Sequence, residues 1–105
     1  MGEERVKDRV ILDFFKKVRK KYPDARVYLF GSRARKEHLK ESDYDIIVVS
    51  RYFRNIPFLK RMEKMYEFWT YPIHADILCY TPEELERIKN SLTTVGSAMK
   101  EAVEL

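Results

Sequence analysis

Ten residues separate Gly31-Ser32 from Asp43-Tyr44-Asp45, and the two groups supply complementary needs of phosphate chemistry. A glycine lets the backbone come close to phosphate oxygens, and the N–H groups of a short helix that follows it attract anions. Aspartates at i and i+2 on a strand point to the same face. From there they can share two divalent cations about 3.5–4 Å apart, the arrangement that clamps the attacking and leaving oxygens of phosphoryl transfer. Carboxylates together with substrate phosphates suit a hard ion such as Mg²⁺.

Asp76 is a second carboxylate out of place, set in the run Ile73-His74-Ala75-Asp76-Ile77-Leu78-Cys79. Burying it unpaired would cost several kcal/mol, so it must meet a cation or lie at a sheet rim. If its strand neighbours the one that starts at Tyr44, three carboxylates converge from strands about 5 Å apart. A bound metal would relieve their repulsion. His74 shares the face of Asp76; a metal or phosphate role is open to it, but a partly exposed residue at the strand entry is the favoured reading. Cys79 and Tyr44 fall on core faces, and with one cysteine and two histidines the chain offers no disulfide framework, no Cys-based zinc site and no specific Ser-His-Asp set.

These residues need elements to hold them. Val6, Val10, Ile11, Phe14, Phe15 and Val18 recur at helical spacing, so residues 3–21 predict an amphipathic helix. Its cationic face, Arg9, Lys16, Lys17, Arg19, Lys20 and Lys21, reads as a solvated surface whose last turn complements the helix dipole. Tyr22-Pro23-Asp24 stops it. Arg26 to Phe30 predicts a strand ending at Gly31, Ser32 caps a short helix through about His38, and Tyr44 to Val49 predicts a largely buried strand. Pro57 opens a third helix with Phe58, Met62, Met65, Tyr66 and Trp69 on its core side. Ile73 to Tyr80 is a third strand. Thr81-Pro82-Glu83-Glu84 then forms a capping box for a helix to about Asn90. A last helical segment places Val95, Met99, Ala102 and Val103 near one side, a candidate contact for a partner. Strands alternating with helices argue for one sheet covered by helices.

Composition sets the outer bounds. With 105 residues, 45% of them hydrophobic and 13% aromatic, the chain predicts one folded domain with a single core. A net charge of +4 permits an anionic substrate without demanding one. The longest uncharged apolar stretch falls well short of a membrane span, and the charged N-terminal residues lack a signal-like apolar run, so the expectation is a cytoplasmic protein away from the membrane.

Phe30-Gly31-Ser32, ten residues, Asp43-Tyr44-Asp45-Ile46 and then Asp76 on a later strand together resemble the nucleotidyltransferase superfamily that includes DNA polymerase beta. Within it the chain is similar to the minimal nucleotidyltransferases of prokaryotes, which consist of the catalytic core alone. The likeness runs from the first helix to the Thr81 helix. It implies an α/β (α+β) chain with a single mixed β-sheet covered by helices, spanning residues 1–105 as one nucleotidyltransferase domain.

The resemblance also implies roles. Asp43 and Asp45 would bind both of two Mg²⁺ ions, and Asp76 the one on the nucleophile side, where it could help receive the proton of the attacking hydroxyl. Gly31 and Ser32 would hold the triphosphate of ATP or another nucleoside triphosphate. Arg33 and Arg35 stand where guanidinium groups could reach β- or γ-phosphate oxygens, each such bond worth roughly 1.5–3 kcal/mol. Lys36, His38 and Lys40 read as a basic rim. Minimal members resemble antitoxins encoded beside HEPN-domain ribonuclease toxins, some of which place AMP on a toxin tyrosine. The expected partner is therefore a HEPN-domain protein in a hetero-oligomer, with no direct nucleic-acid binding. Alternatives are a non-catalytic antitoxin that acts by binding, and a transferase acting on RNA or a small molecule.

Overall fold

The computed structural model describes residues 8–31, 34, 43–91 and 94–105. Helix α1 (Arg9–Lys21) starts where Asp8 Oδ1 accepts from the N–H groups of Val10 at 2.9 Å and Ile11 at 3.4 Å. It buries Ile11, Phe14 and Val18 and carries Arg19, Lys20 and Lys21 in its last turn. Residues 3–7 of the expected helix lie outside the described residues. Strand β1 (Arg26–Phe30) and strand β2 (Tyr44–Val49) have the expected bounds and pair antiparallel. Helix α2 (Phe58–Tyr66) follows, with Pro57 at its N-cap position, where its missing N–H leaves no bond unmade.

Strand β3 (Ala75–Tyr80) lies parallel to β2 and is shorter than the expected Ile73 to Tyr80. Ile73 leaves the ladder because its carbonyl accepts from the Trp69 indole N–H at 2.7 Å. The capping box forms as expected at the start of helix α3 (Pro82–Lys89): Thr81 Oγ1 accepts from Glu84 N–H, and the Glu84 carboxylate from Thr81 N–H. Helix α4 (Thr94–Met99) is followed by strand β4 (Val103–Glu104), which the helical reading of Val103 missed. This strand is two residues long and pairs antiparallel with β1, so it has no periodicity of its own. The sheet order is β3-β2-β1-β4, a mixed sheet as expected.

Alternation divides the side chains between two faces. Val27, Leu29, Tyr44, Ile46, Val48, Ala75, Ile77 and Cys79 join Ile11, Phe14, Val18 and Met65 in the main core beneath α1 and α2. On the other face Tyr28, Ile47, Val49 and Leu85 form a smaller cluster, closed by Val95, Met99 and Ala102. The C-terminal stripe proposed as a partner contact is thus packed against its own sheet, and Val103 packs on the main core. A short helix is marginal alone, and burial against the sheet is what fixes it.

An open edge strand invites pairing with another chain, and α2 covers the edge at β3. The Tyr66 hydroxyl donates to Ala75 C=O at 2.8 Å and accepts from Ile77 N–H at 3.3 Å. Arg61 donates to Cys79 C=O at 3.3 Å, to Ile56 C=O at 2.8 Å and to both Glu84 oxygens, at 2.6 and 3.3 Å. The Arg61 side chain is 8% exposed, so removing its guanidinium strands a carboxylate and two carbonyls. Arg61→Met should cost about 3 kcal/mol in a denaturant melt, the low end for a broken buried pair because Glu84 keeps some water. The bonds from Arg61 hold the Glu84 carboxyl below its ordinary value. That contribution is therefore present above the ordinary glutamate range and lost as pH falls through the lowered value. The deficit of the variant should shrink on acidification, and an unchanged deficit would remove the ion pair as its cause.

Candidate active site

On the smaller face of the sheet the carboxylates lie at the end where β1 stops and β2 and β3 start, beyond the cluster of Tyr28, Ile47, Val49 and Leu85. Phe30 stands opposite Asp45, and Asp45 stands beside Asp76 in the parallel register, so the three residues form one row across β1, β2 and β3. Their side chains share a face with Ile47 and Leu78, which lie one pleat deeper in the smaller cluster. Asp43 precedes β2 on the same alternation and is exposed. Asp45 is half-buried, and the Asp76 side chain is 62% exposed because β3 is the outer strand.

The start of β2 is held from the opposite face. Tyr44 is buried with its ring against Trp69, and its hydroxyl donates to Asp8 Oδ2, the same carboxylate that caps α1. Tyr44 N–H donates to His74 C=O at 3.0 Å. One residue between the two aspartates therefore ties both α1 and the entry of β3 to the carboxylate row. The core position of Tyr44 was legible from alternation, but its anchoring hydroxyl was not.

Gly31 closes the row at the end of β1. Its φ of +76° suits glycine, and its C=O accepts from Ala34 N–H at 3.1 Å in the turn that leaves the strand. A Cβ at this position would lie 2.6 Å from Asp45 Oδ2. The glycine thus makes room for the carboxylate itself. Ser32, Arg33 and Arg35, expected at the phosphates, lie outside the described residues, as do Lys36, His38 and Lys40.

Electrostatics mark Asp45 as the strained member. Its carboxyl is pushed above the ordinary value by desolvation first, then by the Asp76 and Asp43 carboxylates, with His74 opposing the rise. His74 is exposed at the strand entry, on the face of Asp76 as its spacing predicts, and its Nε2 lies 3.2 Å from Asp76 Oδ1. Cys79 is not part of the site: it is buried on the other face, with its thiol pushed up to about 12 by desolvation.

Among the described residues, no three carboxylate, imidazole or thiol groups close on one point tightly enough to hold an ion by themselves. The expected convergence is an alignment along the row, and like charges on adjacent strands have reason to stay apart. The donor set still fits a hard divalent cation. Its members are carboxylate oxygens, Asp76 and Asp43 both disfavour the charged form of Asp45, and Gly31 keeps the space beside Asp45 free of side-chain carbon. Carboxylate oxygens of this row would be the ligands of such an ion, together with oxygens of a phosphate substrate.

Comparison with known proteins bears on this geometry. Residues 11–104 match the family model of the nucleotidyltransferase domain. A crystal structure from Sulfolobus solfataricus, of a protein assigned as a nucleotidyltransferase, is similar with a TM-score of 0.63 and 26% identity. The match covers 82% of this chain and 76% of that one. No curated protein matches the chain. Among the described residues, no helix is long and apolar enough to cross a membrane.

Proposed function

The chain belongs to the nucleotidyltransferase domain family, and from that premise we propose that it moves AMP from ATP, with two Mg²⁺ ions, onto a hydroxyl of a HEPN-domain partner protein. The row Phe30, Asp45 and Asp76, with Gly31 turned against Asp45, carries this reading. It puts two carboxylates of adjacent strands on one face, beside the glycine turn that ends β1.

Asp43 and Asp45 would hold both ions and Asp76 the one on the acceptor side. Divalent cations held there would neutralise phosphate charge and make the acceptor hydroxyl easier to deprotonate. The acceptor oxygen forms a bond to the α-phosphorus while the bond to the bridging oxygen of pyrophosphate breaks. Asp76 receives the hydroxyl proton, a role helped by its exposure on the outer strand. The backbone at Gly31, with Ser32, Arg33 and Arg35 after it, would hold the β- and γ-phosphates. Because Asp43, His74 and Asp76 are exposed, the acceptor enters over the β3 side of the row.

The test is co-expression with a HEPN-domain protein, followed by intact-mass analysis of the partner. The expected result is a stable complex in which the partner gains one AMP on a tyrosine or another hydroxyl. The gain should require Mg²⁺ and vanish with Asp45→Asn. A tight complex without the adduct would favour neutralisation by binding. With neither complex nor adduct, an RNA or small-molecule acceptor would take precedence.

A further inference from the structure

We propose that the exposed apolar stripe of α2 is the docking surface for the acceptor protein, which lays an apolar helix face along it and so carries its hydroxyl to Asp76. The inference rests on the transfer reading above and names the surface which that reading needs. Among the described residues four large apolar side chains are exposed, and three of them lie on α2: Phe58 at 38%, Leu59 at 71% and Tyr66 at 37%. A lone exposed apolar residue needs no explanation, but a contiguous patch does. With half-buried Met62 between them, the three fall within about 100° around a helix of 3.6 residues per turn. Spacing alone puts Phe58 and Tyr66 on the core side of α2. The structure leaves them at the surface because Arg61 and Met65 take the positions over the sheet.

The course of the helix ties the stripe to the site. α2 runs antiparallel to β3 along its outer edge: the Phe58 ring lies 5.6 Å from that of Tyr80, Arg61 reaches Cys79, and the Tyr66 hydroxyl bonds Ala75 and Ile77. The stripe therefore ends at the two residues that flank Asp76, the carboxylate assigned to the acceptor's proton. The same bonds occupy backbone groups of the β3 edge, so a partner gains little by adding a strand there, and side-chain packing is what remains. A straight apolar ridge on a helix fits the groove between the ridges of a second helix. Lys60 and Glu63, paired at 3.4 Å, and Lys64 stand exposed beside the stripe and give it the wet polar rim of a protein interface.

Steady-state transfer to the HEPN-domain protein of the co-expression experiment tests this, together with photocrosslinking from benzoylphenylalanine placed at position 59. Leu59→Glu puts a charge on the stripe, and glutamate keeps the helix propensity of α2. The expected result is a KM for the partner raised about tenfold or more, with kcat at saturating partner and ATP affinity nearly unchanged. Leu59→Ala should move KM in the same direction by less. Lys20→Glu, an exposed charge reversal on α1, should leave it unchanged. The crosslink should join position 59 to a helix of the partner. Adduct formation with an unaltered KM in Leu59→Glu would overturn the docking surface and leave the transfer reading standing. A crosslink only to a second copy of this chain would overturn it as well, by giving the stripe to a homodimer. No adduct on the partner with the wild-type chain would overturn both readings.

Discussion

Asp45→Asn should lower nucleotide transfer by at least about 10²–10³-fold while making the metal-free protein more stable. The rate loss is the usual cost of removing one preorganised electrostatic contact, and a ligand shared by two ions should not fall below it. The stability gain follows from the raised pKa of Asp45. Above that value the folded protein holds a charge that burial, Asp76 and Asp43 all disfavour, whereas the unfolded chain does not. The native state then binds more protons than the unfolded one, so stability falls as pH rises through the titration of Asp45. An amide of similar shape removes that slope. The advantage of the variant should be full at neutral pH, shrink as pH falls toward the ordinary aspartate range, and disappear at neutral pH when Mn²⁺ stabilises only the wild type. Thermal melts across pH, with and without metal, check all three. Near-wild-type transfer in Asp45→Asn would remove Asp45 from the reaction.

Where the sequence was legible, the signal was local. Strands β1 and β2 end at Gly31 and begin after Asp43 because apolar β-formers give way there to residues that cannot continue a buried strand. Thr81 and Glu84 announce their helix through a reciprocal pair of bonds three residues apart. The carboxylate row was legible because charges inside apolar strands have few physical excuses. Features made by distant parts of the chain were not. β4 exists through its pairing to β1, reinforced by Arg26 and Glu104 at 3.2 Å, and no short window contains both partners. Arg61 reads as a surface cation on its helix until the carbonyls of the β3 edge and Glu84 are placed beside it. The same holds for Asp8, which local spacing does not connect to Tyr44, 36 residues later.

Gly31→Ala should show that the turn serves the carboxylate. The substitution meets two obstacles of different kinds. The φ of +76° disfavours any side chain by about 1–2 kcal/mol. The new methyl group would also stand 2.6 Å from Asp45 Oδ2, so the carboxylate must leave its place. A displacement of about 1 Å can cost about 10²-fold in rate, and transfer should fall by at least that much. Stability separates the two obstacles. In the Asp45→Ala background there is no carboxylate to displace, so Gly31→Ala should cost only the backbone strain. In the wild-type background the cost should be larger, and the difference is the coupling between the residues. Denaturant melts of the two single variants and the double variant measure it without reference to activity. Equal costs in both backgrounds would mean that Gly31 answers only to its own backbone, and that the close approach to Asp45 plays no part in the site.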